Sequence, residues 1–149
     1  MNIRLITEND IRDCAKLFSY VFSIEPWNEP WTEEGAFKRL NHFFESKGFV
    51  GVLLESDDLM GFALGNVEPF HFGDMFYLRE MCIDTKKQNS GYGCKLLERL
   101  EDNLKSMNVN SIYLTTDIEI PASKFYQKHG FNLKNTMGFY AKRLNSYSR

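Results

Sequence analysis

The sequence predicts an α/β domain in which a mixed β-sheet is flanked by helices. Segments with strand-like alternation and segments with helical apolar spacing follow one another in the order β-α-α-β-β-β-α-β-α-β-β, an order that a mixed sheet covered by helices accounts for best. The 149 residues, 43% of them hydrophobic, can bury a real core. Since no repeat, linker or low-complexity tract interrupts the pattern, we expect one domain over residues 1–149.

The first half of the chain predicts a strand, two helices and a hairpin. Asn2–Ile6 alternates as a strand, and the polar run 7–10 can cap a helix that ends near Ser23. Thr32 is a suitable N-cap for the second helix. The apolar faces of the two helices are Ile11, Ala15, Phe18 and Phe22, and then Phe37, Leu40 and Phe44. The hairpin strands are Gly48–Glu55 and Leu59–Glu68, joined by a polar turn at 56–58.

The second half predicts a strand, a long helix and a further set of short elements. Met75–Asp84 is an apolar strand, and the long helix after Gly93 has the apolar stripe Leu96, Leu97, Leu100, Leu104 and Met107. Ser111–Thr116 is the next strand, and Pro121–His129 is a short helix that Gly130 terminates. The last predicted strands are Phe131–Leu133 and Met137–Leu144.

Composition argues against several classes of protein. The net charge is −2 and no Lys/Arg run stands out, so no nucleic-acid partner is expected. Apolar stretches are too short to span a membrane, and the start MNIRLITEND has no apolar signal region, so we expect a cytoplasmic protein with no membrane partner. Cys14, Cys82 and Cys94 form no CxxC pair, so free thiols are expected and a metal site is not.

The turn before the long helix is the segment most typical of ligand binding. Gly91-Tyr92-Gly93 ends just where the first helical N–H groups lack partners and the helix dipole is positive, which suits a phosphate or pyrophosphate. Glycines allow close approach to those groups, although such a turn can also serve only to change direction. The segment is not a P-loop, because no GK[ST] follows, and it lacks the third glycine of the dinucleotide fingerprint.

Three segments together resemble the GNAT superfamily of N-acetyltransferases. Gln88–Gly93 is similar to the acetyl-CoA signature Q/R-x-x-G-x-G/A, Tyr77–Ile83 to the fourth strand, and Ala122–Phe131 to the late A-x-x-F-Y-x-x-x-G-F segment. The element order covers essentially the whole chain. The resemblance implies a GNAT fold, with a mostly antiparallel sheet, helices on both faces, and splayed fourth and fifth strands. Ser90, in place of a common Arg or Lys, and Ile120, in place of a common Asn, depart from the pattern.

The resemblance implies acetyl-CoA as the cofactor. The main chain of Cys82 and Ile83 would bind the pantetheine arm and the acetyl carbonyl, with Phe125 packing or contacting the arm. The pyrophosphate would lie on the turn and the first helical amides, a set made of Gln88, Asn89, Ser90, Gly91, Tyr92, Gly93, Cys94 and Lys95. For the thiol of Cys82 itself, a core position is favoured over a covalent role, because no His neighbour is evident.

Two residues are predicted to carry the chemistry. Glu80 lies in an otherwise apolar strand near the expected thioester, where burial would raise its pKa and suit it to accept a proton or anchor the amine. The alternative is a solvent-side carboxylate paired with a neighbour such as Arg79. Tyr126 matches the family tyrosine whose hydroxyl commonly faces the sulfur, so it is the candidate acid; the alternative is a Tyr packed on the core. His42, His71 and His129 are assigned no chemistry.

The acceptor is predicted to be a small-molecule amine. Acidic and aromatic residues interleave near the first two helices, and the predicted substrate-binding set is Glu25, Trp27, Glu29, Trp31 and Glu80. The segment 25–32 resembles the aminoglycoside 6′-type branch, which suggests aminoglycosides or polyamines. The tryptophans could instead be core anchors, and the alternatives for the whole chain are a peptide amine acetyltransferase, transfer of a longer acyl chain, or an acyl-CoA sensor without catalysis. Pairing of Phe139 and Tyr140 across a homodimer is compatible with the resemblance.

Overall fold

The structure is a computed structural model that describes residues 1–145. Two compact units divide the chain, Met1–Thr115 and Thr116–Arg149. The first unit holds the strands β1 (Asn2–Leu5), β2 (Phe49–Glu55), β3 (Leu59–Glu68), β4 (Met75–Ile83) and β5 (Ser111–Tyr113), and the helices α1 (Ile11–Ser23), α2 (Glu33–Glu45) and α3 (Tyr92–Ser106). The second unit holds α4 (Pro121–Lys128). One domain spanning both units stays a prediction.

The sheet runs in the order β1-β2-β3-β4-β5. The first three pairings are antiparallel and the β4–β5 pairing is parallel, so the predicted mixed, mostly antiparallel sheet is confirmed. Strand β5 pairs with β4 only from Met75 to Tyr77. The remainder of β4, Leu78–Ile83, has a strand partner on the β3 side alone among residues 1–145, which is the predicted separation of the fourth and fifth strands.

Helices cover both faces of the sheet, as the sequence predicts. Helices α1 and α2 pack on one face, with a core that includes Phe18, Leu40, Leu53, Phe62, Leu64 and Cys82. Helix α3 packs on the opposite face through its buried Leu96, Leu97, Leu100 and Leu104. The predicted apolar face of α2 is partly wrong: Ala36, Leu40 and Phe43 are buried, whereas Phe37 and Phe44 are half-buried at the margin.

A β-bulge interrupts β4 at Arg79. Leu64 of β3 lies opposite Glu80 and the next residue, Gly65, lies opposite Leu78, so Arg79 is the extra residue in β4. Side chains alternate between faces along a regular strand, and one inserted residue reverses that alternation beyond the bulge. Tyr77, Arg79, Glu80 and Cys82 therefore all turn toward α1 and α2.

A buried asparagine fastens the end of α2 to the sheet. The side-chain amide of Asn66, in β3, donates to the carbonyl oxygens of Phe43, Ser46 and Lys47 at 3.2, 3.5 and 3.1 Å. The last carbonyls of a helix have no partner inside it, so Asn66 supplies a donor to the end of α2 and to the two residues that follow it. At the other end, the predicted Thr32 N-cap is confirmed, because its hydroxyl accepts a bond of 2.9 Å from the Gly35 amide.

The two last predicted strands are wrong for the described part of the chain. No strand forms over residues 131–145, and the side chains that produced the strand-like pattern are exposed, with Met137 77%, Phe139 85% and Tyr140 93% accessible. Alternation of apolar residues indicates an extended segment with one apolar face, but it does not show whether a neighbouring strand is present to pair with that segment. Strand β5, which the sequence predicts to extend to Thr116, ends at Tyr113. Homodimer pairing through this segment stays a prediction.

No helix within residues 1–145 combines the length and the apolar character needed to cross a membrane.

Replacing Asn66 by Ala tests the tie between α2 and the sheet. We expect a loss of about 1–2 kcal/mol in the free energy of unfolding, because one buried and two partly buried hydrogen bonds are lost, while the Phe43 carbonyl keeps its bond from the Ser46 amide. Urea denaturation measures this value. Asn110→Ala is the matched control: its amide donates to the Phe72 carbonyl at 2.6 Å in an exposed position, where water can replace it. Equal losses for the two variants would contradict the assigned role of Asn66.

Candidate functional site

The turn before α3 has the backbone that an anion site needs. Gly91 is the N-cap of α3 with φ of +80°, in the left-handed region that favours glycine. A Cβ added to Gly91 would meet no heavy atom within 4 Å, so the space in front of this residue is open. The first intrahelical bond is donated by the Lys95 amide to the Gly91 carbonyl at 3.2 Å, which leaves the earlier amides of Tyr92 and Gly93 without an intrahelical acceptor.

The other predicted turn residues have distinct roles. Gln88 and Ser90 are exposed, and Asn89 adopts φ of +62°. Lys95 departs from the prediction, because its amide is already bonded inside the helix, so it offers an ammonium group rather than a main-chain donor. The thiol of Cys94 points along the helix and lies 3.5 Å from a carboxylate oxygen of Glu98.

The register of β4 decides which main-chain groups face the side that β5 does not cover. The Asp84 amide donates to the Met60 carbonyl at 2.8 Å, so hydrogen-bonded pairs with β3 recur at Cys82 and Glu80. The main-chain groups of Met81 and Ile83 point the opposite way. The side chain of Gln88 reaches this edge and donates to the Ile83 carbonyl at 2.9 Å.

The prediction for Cys82 therefore needs correction. The main chain of Cys82 is directed to Phe62 of β3, and Met81, rather than Cys82, occupies the edge position. The Cys82 side chain is buried, and desolvation raises the pKa of its thiol well above the ordinary value. The thiol belongs to the core between the sheet and α1.

Glu80 is a largely buried carboxylate with one close cationic partner. Its side chain is 14% exposed, and Oε2 accepts a bond of 2.6 Å from Nε of Arg39 on α2. Burial raises the Glu80 pKa above its ordinary range, the charge of Glu29 adds to the increase, and Arg39 and Arg79 oppose it. The predicted alternative named Arg79 as the ion-pair partner, but the structure gives that place to Arg39.

Arg79, the residue before Glu80, is held between aromatic rings. Its guanidinium carbon lies 4.0 Å from the centre of the Tyr77 ring and 5.1 Å from that of Phe43. Tyr77 in turn stacks on Tyr113 with ring centres 4.5 Å apart. The Tyr113 hydroxyl donates to Glu68 at 2.5 Å, and burial raises the Tyr113 pKa to about 12, with the Glu68 carboxylate adding to the shift.

The loop between α1 and α2 contributes only part of the predicted substrate set. Indole Nε1 of Trp31 donates to Glu29 at 2.8 Å, and the Arg39 guanidinium lies 5.9 Å from the Trp31 ring centre, so these residues adjoin the Glu80 ion pair. Trp27 packs edge-on against Phe22 as a core anchor, and Trp31 does the same against Phe18. Glu25 is exposed, and no hydrogen bond or ion pair joins Glu25 or Trp27 to Glu80 within residues 1–145.

The second unit carries Tyr126 and Phe125 on α4. Both rings are half-buried, and they meet edge-on with centres 5.3 Å apart. Tyr126 also meets the ring of Phe131 at 5.5 Å, so its ring packs within this unit. His129 caps the end of the helix, where a ring nitrogen lies 2.8 Å from the Phe125 carbonyl.

A shallow groove of about 570 Å³ lies elsewhere, along the outer side of α2. It is lined by Glu34, Gly35, Phe37, Lys38, Asn41, His42 and Glu45, and it includes none of the residues around Glu80. No group of three or more potential metal ligands occurs in the described part of the chain.

Comparison with known proteins identifies the family. The model of the acetyltransferase (GNAT) family matches residues 12–131, most of the chain. The chain belongs to the GNAT family. The glycine turn, the uncovered edge of β4 and Glu80 lie within the matched region.

The chain is similar to one curated protein over part of its length and to solved structures over nearly all of it. An uncharacterized protein of Bacillus subtilis, YxbD, is 33% identical over 84 residues, a match that spans about half of either chain (52% and 53%). An aminoglycoside acetyltransferase from an uncultured soil metagenomic sample is 18% identical over 97% of this chain and 96% of its own, with a TM-score of 0.75. Glucosamine-6-phosphate N-acetyltransferase from Arabidopsis thaliana is 19% identical over 97% and 98%, with a TM-score of 0.70. At these identities the two structures show the GNAT fold of this chain and not its substrate.

The described residues fit the acetyl-CoA that the family uses. The open cradle at Gly91 and the helical amides behind it suit a pyrophosphate, and the main chain of Met81 and Ile83 suits an extended arm with amide groups. Two residues of the site, Arg39 and Met81, were not found from the sequence. Arg39 is 41 positions from Glu80, and Met81 depends on the strand register, so neither leaves a local signal.

Replacing Gly91 by Ala tests the cradle. A Cβ in the left-handed region costs about 1–2 kcal/mol of stability and stands in the open space before the amides, so we expect acetyl-CoA to bind about tenfold more weakly. Isothermal titration with acetyl-CoA measures the change. Gly130→Ala is the control, since Gly130 also has positive φ, +91°, with nothing within 4 Å of an added Cβ. Equal weakening in both variants would assign the effect to backbone strain alone.

Proposed function

We propose that the protein transfers the acetyl group of acetyl-CoA to a primary amine of a small cationic molecule, by direct attack in a ternary complex. The observation that carries the proposal is Glu80, a carboxylate only 14% exposed that projects from β4 beside the edge formed by Met81 and Ile83. The proposed thioester would lie along this edge, and an ammonium group that approaches it must lose a proton to a nearby base before the amine can attack.

Acidic groups near Glu80 support a cationic acceptor. Glu29 acts electrostatically on Glu80, and the indole of Trp31 lies between Glu29 and Arg39 in the contact network. Carboxylates with aromatic rings attract ammonium groups by ion pairing and cation–π contact. The aminoglycoside acetyltransferase with the same fold acts on a polycationic substrate of this chemical class, which is consistent with the proposal.

Each residue has a stated task in the proposed reaction. When bound, acetyl-CoA supplies an acyl group activated as a thioester. Glu80 removes a proton from the ammonium group of the acceptor, because a neutral amine is the nucleophile. Main-chain N–H groups at the edge of β4 stabilise developing negative charge on the carbonyl oxygen. The phenolic hydroxyl of Tyr126 is the proposed proton donor for the departing sulfur.

A sensor that binds acyl-CoA without catalysis is the second candidate, and one contact favours it. Arg39 lies 2.6 Å from Glu80 and occupies the carboxylate that the reaction would use. In that case neither Glu80 nor Tyr126 has a kinetic role.

Glu80→Gln and Tyr126→Phe separate the enzyme from the sensor. We expect kcat to fall about 100-fold for the glutamine variant and about tenfold or more for the phenylalanine variant, because each removes a proton-transfer group without changing shape. Thiol release with a panel of amines, including aminoglycosides and polyamines, is the readout. Acetyl-CoA binding should stay within about threefold of wild type.

Glu34→Gln is the matched control for this series. Glu34 accepts from Arg12 at 2.6 Å, the same distance as in the buried pair, but its side chain is 81% exposed. Unchanged kinetics for Glu34→Gln together with unchanged kinetics for Glu80→Gln would remove the base from the mechanism.

Arg39→Met should move the acid limb of the kcat/KM profile to higher pH. Arg39 favours the ionised form of Glu80, while burial and Glu29 favour the protonated form and Arg79 stays in place. Losing Arg39 thus raises the Glu80 pKa, and the base becomes available only at higher pH. A pH series of initial rates measures the limb. Arg12→Met should leave it where it is, and an unmoved limb in Arg39→Met would show that Glu80 is not the titrating base.

A further inference from the structure

Arg79 has a buried guanidinium nitrogen with no acceptor in the described chain. Its Nε is inaccessible to solvent and makes no hydrogen bond. No hydrogen bond or ion pair to any other residue among 1–145 engages the rest of the group. Taking a guanidinium partly out of water without an acceptor is costly, so such a group in a site calls for a partner.

The aromatic contacts fix the orientation of the Arg79 guanidinium in advance. The group lies over the Tyr77 ring at 4.0 Å and near the Phe43 ring at 5.1 Å, and Tyr77 is itself stacked on Tyr113. A planar fork held against rings loses little conformational freedom when it binds an oxyanion through two N–H groups. This packing therefore prepares Arg79 for a carboxylate or phosphate.

The nearby carboxylates are engaged by other residues. Glu80 accepts from Arg39 at 2.6 Å, and Glu68 accepts from the Tyr113 hydroxyl at 2.5 Å. Glu80 interacts with Arg79 through charge only. The anion that would complete the Arg79 site must then come from outside the described residues.

We propose that Arg79 is a specificity-determining residue that binds a carboxylate or phosphate group of the acceptor whose amine lies at Glu80. Arg79 and Glu80 are consecutive residues that the bulge turns to one face of the sheet, so their side chains can hold two groups of one molecule a few bonds apart. The inference rests on the proposed amine acetylation but changes the acceptor: in place of a purely cationic molecule, it is a small molecule that carries an anionic group beside its ammonium group.

Matched acceptor pairs test the preference. β-Alanine against β-alaninamide tests a carboxylate, and 2-aminoethyl phosphate against ethanolamine tests a phosphate. NMR titration of the CoA-saturated protein measures the affinity of each. For at least one pair, we expect the anionic member to bind wild type about tenfold or more tightly than its neutral partner. Equal affinities in both pairs would overturn the proposal.

Arg79→Met should abolish the preference while leaving the neutral amines within about threefold of wild type. Arg12→Met is the matched control, because Arg12 also lies over a phenylalanine of α2, 3.8 Å from the Phe37 ring centre, but pairs with exposed Glu34. It should keep the preference. Retention of the preference by Arg79→Met would also overturn the proposal.

Thermal unfolding separates specificity from a structural role. Removing an unpaired guanidinium should leave the melting temperature of Arg79→Met unchanged or higher, whereas a packing role predicts a lower one.

Thiol release separates the two proposals. Anionic preference in binding without turnover contradicts only the acetylation mechanism, and turnover without preference contradicts only the role of Arg79.

Discussion

Arg79 has no opposite residue in β3. Because of this extra residue, each side chain of β4 after Arg79 lies on the other face of the sheet from the one that strict alternation predicts. Alternation from Tyr77 would direct Glu80 to the face covered by α3, among Leu96, Leu97 and Leu100. Burying an unpaired carboxylate there would cost roughly several kcal/mol of stability, unless the carboxyl group remained protonated. The bulge instead brings Glu80 to α2, where Arg39 meets it, and keeps Arg79 on the same side. The charged pair beside the edge of the strand thus depends on a single inserted residue.

Two ion pairs of equal length show that burial, and not distance, determines how strongly the charges of a pair affect each other. Arg12–Glu34 and Arg39–Glu80 both measure 2.6 Å, but the carboxylates are 81% and 14% exposed. In the first pair water screens both charges, so the interaction contributes little to stability. In the second, desolvation raises the Glu80 pKa while Arg39 restrains it, and the balance between them leaves a carboxyl group that can exchange a proton. The attachment of α2 through Asn66 matters for the same reason, since α2 sets the position of Arg39.

The parts of the site that are local in sequence could be predicted, and the parts that depend on register or long-range pairing could not. The turn at Gly91 and the Thr32 cap are each specified within a few residues, and the helical and strand periods placed the first nine elements near their observed bounds. Glu80 stood out as a charge in an apolar strand. Its partner Arg39 did not, because the alternation that would indicate facing residues is broken by the bulge between Leu78 and Glu80. The same alternation is misleading at Met137 and Phe139, because it predicts a strand where the described chain supplies no partner strand.

Beyond the bulge, successive residues of β4 alternate in the direction of both their side chains and their main-chain groups. Side chains at Glu80 and Cys82 turn to α1 and α2, and their main-chain groups bond β3; main-chain groups at Met81 and Ile83 face the edge that β5 leaves uncovered. An extended ligand that paired with that edge would therefore lie beside Glu80 and would displace none of the bonds between β3 and β4. The three-residue pairing of β5 is what makes this possible, because a longer pairing would consume the same N–H and C=O groups. Gln88, three residues before Gly91, bonds the Ile83 carbonyl at 2.9 Å, so this edge is tied to the segment that leads into the turn before α3.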